Sequence, residues 1–273
     1  MPTEKLATLA RHLPQTDPPL APRENLPTMY DLPSEDPEEP GLPDEFHDFQ
    51  PQLLRETFQP AHYPLERVFV GTDLNLYYDV RRPLWHKRPD WFAVLGVPRL
   101  YEEKELRLSY VVWQEGVSPY LVVELLSPGT EQEDLGKILR DLDQPPNKWV
   151  VYEQILRIPY YVVFSRYTDE LYYFELAGGS YRELHPKEQR LWLPEAGLGL
   201  GLWSGTYQGL ERRWLRCYAA DGAWIPTPLE REQQLIEQER QRADQERQRA
   251  EQEYQRAERL AAQLRALGIE PDQ

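Results

Sequence analysis

Residues Leu121-Val122-Val123-Glu124-Leu125-Leu126 decide the fold. A short aliphatic run without polar alternation reads as a strand buried on both faces, at the centre of a sheet. Glu124 breaks the run. An ionised carboxylate in that setting is costly unless something pairs with it. Glu124 therefore has either a permanent Arg or Lys partner or a bound metal.

Further strands are predicted on both sides of this run. Residues 68–70, 74–80, 91–97 and 160–164 carry the β-branched and aromatic residues that strands favour. Residues 171–176 and 181–184 flank Ala177-Gly178-Gly179-Ser180 and predict a hairpin. Phe46, Phe49, Leu53 and Leu54 fall at helical spacing and predict a helix over 46–57. The charged stretch 131–143 predicts a second helix, which Pro145-Pro146 stops. The expected class is α/β, a mixed sheet flanked by helices.

Composition limits what the chain can be. Its 273 residues are 40% hydrophobic and include eight Trp and seventeen Tyr, enough for a sizeable core. The net charge is −15, and residues 1–46 hold ten acids against three bases. That Pro-rich segment cannot bury enough apolar surface to offset its ordering entropy, so 1–45 is expected to be an extended acidic arm. Global acidity argues against a non-specific coat on nucleic acid, but not against a local site. Cys217 is the sole cysteine, which excludes an internal disulfide and a Cys-based zinc site. No apolar stretch reaches the roughly 18 residues of a membrane span. The start Met-Pro-Thr-Glu-Lys lacks a signal-peptide core, so a cytoplasmic location is expected. Gly197-Leu198-Gly199-Leu200-Gly201 has no following Lys-Ser/Thr and is not a phosphate loop.

The last segment, 227–273, differs in kind. Residues 238–258 repeat a seven-residue unit, and Ala243, Ala250, Ala257 and Leu264 share one stripe. Glu239 with Arg242, Glu246 with Arg249 and Glu253 with Arg256 are pairs that support a helix by themselves. The segment is either a lone charged helix or a coiled coil that would assemble the chain into a homo-oligomer.

Residues 46–226 are left to carry the chemistry. Asp90 stands at the mouth of the 91–97 strand. If that strand neighbours the Glu124 strand, two carboxylates come close and repel unless a cation or proton lies between them. A Mg²⁺ ion held by one or two carboxylates and completed by water fits such a pair. The alternative is that Asp90 caps a turn and Glu124 meets an Arg. Arg81, Arg82, His86, Lys87 and Arg88 precede Asp90. They form either a phosphate-gripping cluster or a solvated loop. His47 is a lone histidine in the first helix, structural or placed near the site.

Pro89-Asp90, then Val-Glu-Leu-Leu-Ser-Pro-Gly-Thr at 123–130, then Asp-Leu-Gly-Lys at 134–137 resembles the Uma2 family of endonucleases, also called DUF820. Its members look like PD-(D/E)XK nucleases. Val151-Tyr152-Glu153 and the 158–164 run are similar to the family's next strand. The resemblance covers residues 45–200 or so. It implies a restriction-endonuclease-like domain over 46–226 that cleaves DNA phosphodiester bonds with a metal-activated water. It also implies Mg²⁺, or Mn²⁺, held by Asp90 and Glu124, and a catalytic set of Asp90, Glu124 and Lys137. The usual lysine lies two residues after the glutamate, where this chain has Leu126, so the role is expected to have moved to Lys137. Arg81, Arg82, Lys87 and Arg88 would bind nucleic acid. The displaced lysine leaves a second reading, a catalytically weak nuclease fold that binds or assembles partners through its tail.

Overall fold

A computed structural model describes residues 44–127, 134–136 and 144–266. Most of the acidic arm, the greater part of the helix expected over 131–143, and Lys137 lie outside the described residues. The chain forms two compact units that divide between Ala223 and Trp224.

The first unit is built on a six-stranded mixed sheet. In chain order its strands are β1 (Val68–Thr72), β4 (Trp91–Leu95), β6 (Leu121–Leu126), β7 (Tyr160–Ser165), β8 (Leu171–Ala177) and β9 (Ser180–Leu184), and they lie side by side in that order. β6 runs parallel to β7 and antiparallel to β4. Every residue of β6 and β7 is buried, as the unbroken aliphatic run requires. The sequence also predicts a strand over 74–80, but only β2 (Leu76–Tyr77) forms there. It joins β3 (His86–Lys87) and β5 (Tyr110–Val111) in a separate small sheet. The pairing ends before Asp79, whose carboxylate turns back to the Arg81 backbone N–H and guanidinium.

Helix α1 (Glu45–Thr57) begins at an N-cap, Asp44, whose side chain accepts from the backbone N–H groups of Phe46 and His47. Phe46 stacks on Trp214 at 5.5 Å between ring centroids. Gln50 both donates to the Leu215 carbonyl and accepts from the Leu215 N–H, each at 2.8 Å. These contacts fix α1 against a second sheet of β10 (Arg190–Leu193), β11 (Leu198–Tyr207) and β12 (Leu210–Tyr218). The glycine-rich 197–201 segment is thus mostly strand. Gly199 leaves room for the Tyr218 ring across the strand pair: a Cβ there would stand 2.0 Å from that ring.

Helix α2 (Val112–Glu115) is a single turn. Helix α3 (Lys148–Val150) starts at the Asn147 cap and continues as a π-helical stretch, Val151–Ile155, before β7. Isolated π-helical turns are rare and often mark functional sites.

The second unit contains helix α4 (Pro228–Ala266). None of its residues is buried, and Gln241 with Glu237 and Gln255 with Glu251 form side-chain bridges one turn apart. Among the described residues no helix is long and apolar enough to cross a membrane.

Candidate active site

The β4–β6 pairing sets Trp91 opposite Val123, and the next step beyond it brings Asp90 to Glu124. The Asp90 N–H reaches Glu124 Oε2 at 3.3 Å, and the Leu125 N–H donates to Asp90 Oδ2 at 2.6 Å. Asp90 and Glu124 are thus neighbours across adjacent strands, each carboxylate accepting a backbone N–H from the other side. Glu124 is fully buried, while Asp90 keeps some solvent exposure.

Helix α3 brings a cation to them. Lys148 Nζ lies 2.9 Å from Glu124 Oε2 and 3.0 Å from Asp134 Oδ1. The approach to Asp134 is not directed well enough to hydrogen-bond that buried oxygen. Tyr152, one turn after Lys148, donates its hydroxyl to Glu124 Oε1 at 2.7 Å. Tyr161 fixes the Asp134 segment by donating to its backbone carbonyl at 2.8 Å. The alternative raised by the sequence, a basic partner for Glu124, is therefore realised together with the Asp90 pairing, and the partner is Lys148.

Among the described residues one ammonium, that of Lys148, faces three carboxylates. Burial pulls the Lys148 ammonium down, but Glu124, Asp134 and Asp90 more than compensate and hold it well above its ordinary value. Burial drives the Glu124 carboxyl well above its ordinary value, against the opposing charge of Lys148 and with the help of Asp90 and Asp134. The Asp90 carboxyl is raised for the same first reason. Among the described residues the cluster is short of positive charge, and a divalent cation would meet that deficit.

The donor set fits such an ion. Asp90 Oδ2 accepts the Leu125 N–H, and Glu124 Oε1 keeps a second accepting position beside the Tyr152 hydroxyl. No group of three or more His, Cys, Asp or Glu residues suited to holding a metal by themselves occurs among the described residues. A carboxylate pair with water in the remaining positions suits Mg²⁺.

A second layer lies behind Asp90. His47 is buried, with Nδ1 at 3.0 Å from Asp44 Oδ1 and Nε2 at 3.0 Å from the Leu125 carbonyl. Both neighbours are acceptors, so satisfying both requires a proton on each ring nitrogen. Burial alone would lower the His47 pKa, but Asp44, Asp90 and the Leu125 carbonyl raise it above its ordinary value. The Leu125 peptide thus links the two layers, its carbonyl held by His47 and its N–H held by Asp90.

The basic cluster before Asp90 is dispersed. Arg81 pairs with Asp79, Arg88 pairs with Asp73, Arg82 lies over the Trp85 ring and Lys87 is buried. The role of Lys148 was missed from the sequence. Its signal was Asn147 after Pro145-Pro146, a helix cap that puts Lys148 and Tyr152 one turn apart on one face.

A model of the Uma2 family, described as "Putative restriction endonuclease", matches residues 19–211. No curated protein matches the sequence. A crystal structure described as "a putative nuclease belonging to DUF820", from Anabaena variabilis ATCC 29413, is similar at 12% identity, with a TM-score of 0.33. The similarity covers 48% of this chain and 62% of that one, so the chain spans less than two thirds of that protein's length.

Proposed function

Because the chain belongs to the Uma2 family, we propose that it is a divalent-metal-dependent endonuclease that hydrolyses phosphodiester bonds of DNA. The observation that carries this reading is Asp90 meeting Glu124 beside the ammonium of Lys148. A divalent cation held by the two carboxylates would supply Lewis acidity to the phosphodiester and to the attacking water.

The remaining roles belong to the chain. Lys148 takes the part assigned from the sequence to Lys137: its ammonium stabilises charge that develops on the phosphoryl oxygens. Tyr152 fixes the Glu124 carboxylate by its hydroxyl, and Asp134 holds Lys148 near the site. His47, through the Leu125 peptide, keeps Asp90 in register with Glu124.

Incubation of plasmid and single-stranded DNA with the full chain in Mg²⁺ or Mn²⁺ tests the reading. Cleavage should disappear with chelator and in Asp90→Asn and Glu124→Gln. Full activity in either variant would remove these residues from the mechanism.

A further inference from the structure

We propose that Arg166, Arg212 and Tyr167 form a docking site for the sugar-phosphate backbone of the nucleic-acid strand, on the α1 side of the sheet that carries the carboxylate pair. The inference rests on the nuclease reading and names the surface that would hold that substrate.

Position comes first. Arg166 directly follows Ser165, the last residue of β7, which pairs with Leu126 of β6. Glu124 pairs with Val163, three residues before Arg166. At about 3.3 Å per residue the arginine lies roughly 10 Å farther along the strands than Glu124, and, an odd number of residues on, its side chain leaves the opposite face, the one α1 covers.

The chemistry agrees. The Arg212 guanidinium donates to the Arg166 carbonyl at 3.0 Å and lies 4.4 Å above the Phe46 ring. Arg166 lies 4.4 Å above the Tyr167 ring and 2.6 Å from Asp44. The Nε–H groups of both arginines are buried without a hydrogen-bond partner, so only the outer guanidinium nitrogens can meet a ligand. What the site offers an anion is the charge of the two guanidiniums, with the Arg166 side chain 26% exposed. Asp44 is the carboxylate paired with Arg166, and it is already shared with His47. Asp169 faces Arg212 only at longer range and stands 3.9 Å from Arg213.

Tyr167 supplies the second element of a strand-binding surface. It is 55% exposed although it is aromatic. Its hydroxyl is tied to Arg166 at 2.9 Å, which holds the ring beside the cations. An exposed ring next to a phosphate-binding cation is the arrangement on which a single-stranded base stacks.

The site is also coupled to the carboxylates. Asp44 holds Arg166 through one oxygen and His47 through the other, and His47 holds the Leu125 carbonyl. A phosphate on Arg166 therefore sits at one end of a chain of contacts that ends at Asp90.

The test is fluorescence anisotropy of labelled single-stranded and duplex DNA with the full chain in chelator, where cleavage is absent, over a salt series. Arg166→Gln and Arg212→Gln keep a polar side chain and remove the charge. Each is expected to weaken binding and to reduce the slope of log affinity against log salt by about 0.7 for single strands or 0.9 for duplex. Tyr167→Ala is expected to weaken single-stranded binding more than duplex binding. Arg182→Gln, at the far end of the sheet beside Glu175, should change neither affinity nor slope. Circular dichroism identifies a variant that fails to fold, and in that case Arg166→Lys and Arg212→Lys are expected to restore the slope. Wild-type-like affinity and slope in folded Arg166→Gln and Arg212→Gln, with cleavage intact in the wild type, overturn this site and leave the nuclease reading standing. No binding and no cleavage by the wild type overturn both.

Discussion

Lys148 Nζ rests 2.9 Å from Glu124 Oε2 although the two residues are 24 positions apart in the chain. The contact joins the buried strand β6 to the start of α3 and gives Glu124 a cation. It leaves Asp134 and Asp90 sharing the same ammonium, and the charge deficit follows from that arrangement.

Replacing Lys148 separates its roles. In Lys148→Met two buried carboxylates lose their ammonium, and breaking a buried pair in this way costs about 3–5 kcal/mol. Urea unfolding should show the loss. Below the variant's melting temperature, DNA cleavage should fall by about a hundredfold, the usual scale for one electrostatic stabiliser. Lys137→Met should retain activity. Activity lost in Lys137→Met and kept in Lys148→Met would return the role to Lys137.

Asp90 trades stability for cation binding. Asp90→Asn removes one of the carboxylates that share an ammonium, while its amide oxygen can still accept the Leu125 N–H. Without divalent cation the variant is expected to gain about 1 kcal/mol, a Tm rise of ~2–4 °C for a chain of this size. Added Mn²⁺ should raise the Tm of the wild type, because it binds only the folded state, and should not raise that of the variant. A Tm that responds to Mn²⁺ equally in both would exclude Asp90 as a ligand.

The Asp44–His47 pair gives stability a pH window. The raised His47 pKa means that its contribution is complete below 6.5 and fades as pH rises through the folded value. Burial works to raise the Asp44 carboxyl, but its contacts with His47 and the charge of Arg166 bring it down to about 2 from an ordinary 3.8. That contribution is present above 3.8 and is lost as pH falls through about 2. The Tm difference between wild type and His47→Gln should be largest between these limits and shrink on either side. A difference that does not vary from pH 4 to pH 9 would contradict a charged His47.

Gln50 holds α1 on β12 by two hydrogen bonds to one buried peptide. Gln50→Ala leaves that N–H and that carbonyl unpaired, at a cost of about 2 kcal/mol or more. Thermal melting should fall by ~4–8 °C. An unchanged Tm would mean that water replaces the side chain without loss.

What the sequence made legible follows the strength of each local signal. The unbroken apolar runs of β6 and β7 and the turn at Gly178-Gly179 are strong signals, and those elements form close to their predicted limits. The Asp90–Glu124 meeting was legible because each residue interrupts or opens such a run. The 197–201 segment was not legible as a strand, because its alternating glycines hide the aromatic cover that Tyr218 provides from another strand. Lys148 was hidden for a related reason. Its partner is fixed by a crossover between parallel strands, and no pattern near residue 148 states where that crossover lands.

The central claim is that Asp90 and Glu124 hold a divalent cation. Anomalous diffraction from crystals of the full chain soaked in Mn²⁺ tests it most directly. An anomalous peak at ligand distance, about 2.1 Å as for Mg²⁺, from oxygens of both carboxylates is the expected result. A soaked crystal with no peak between them and Lys148 still bridging Glu124 and Asp134, from protein that cleaves DNA in Mn²⁺, would contradict it.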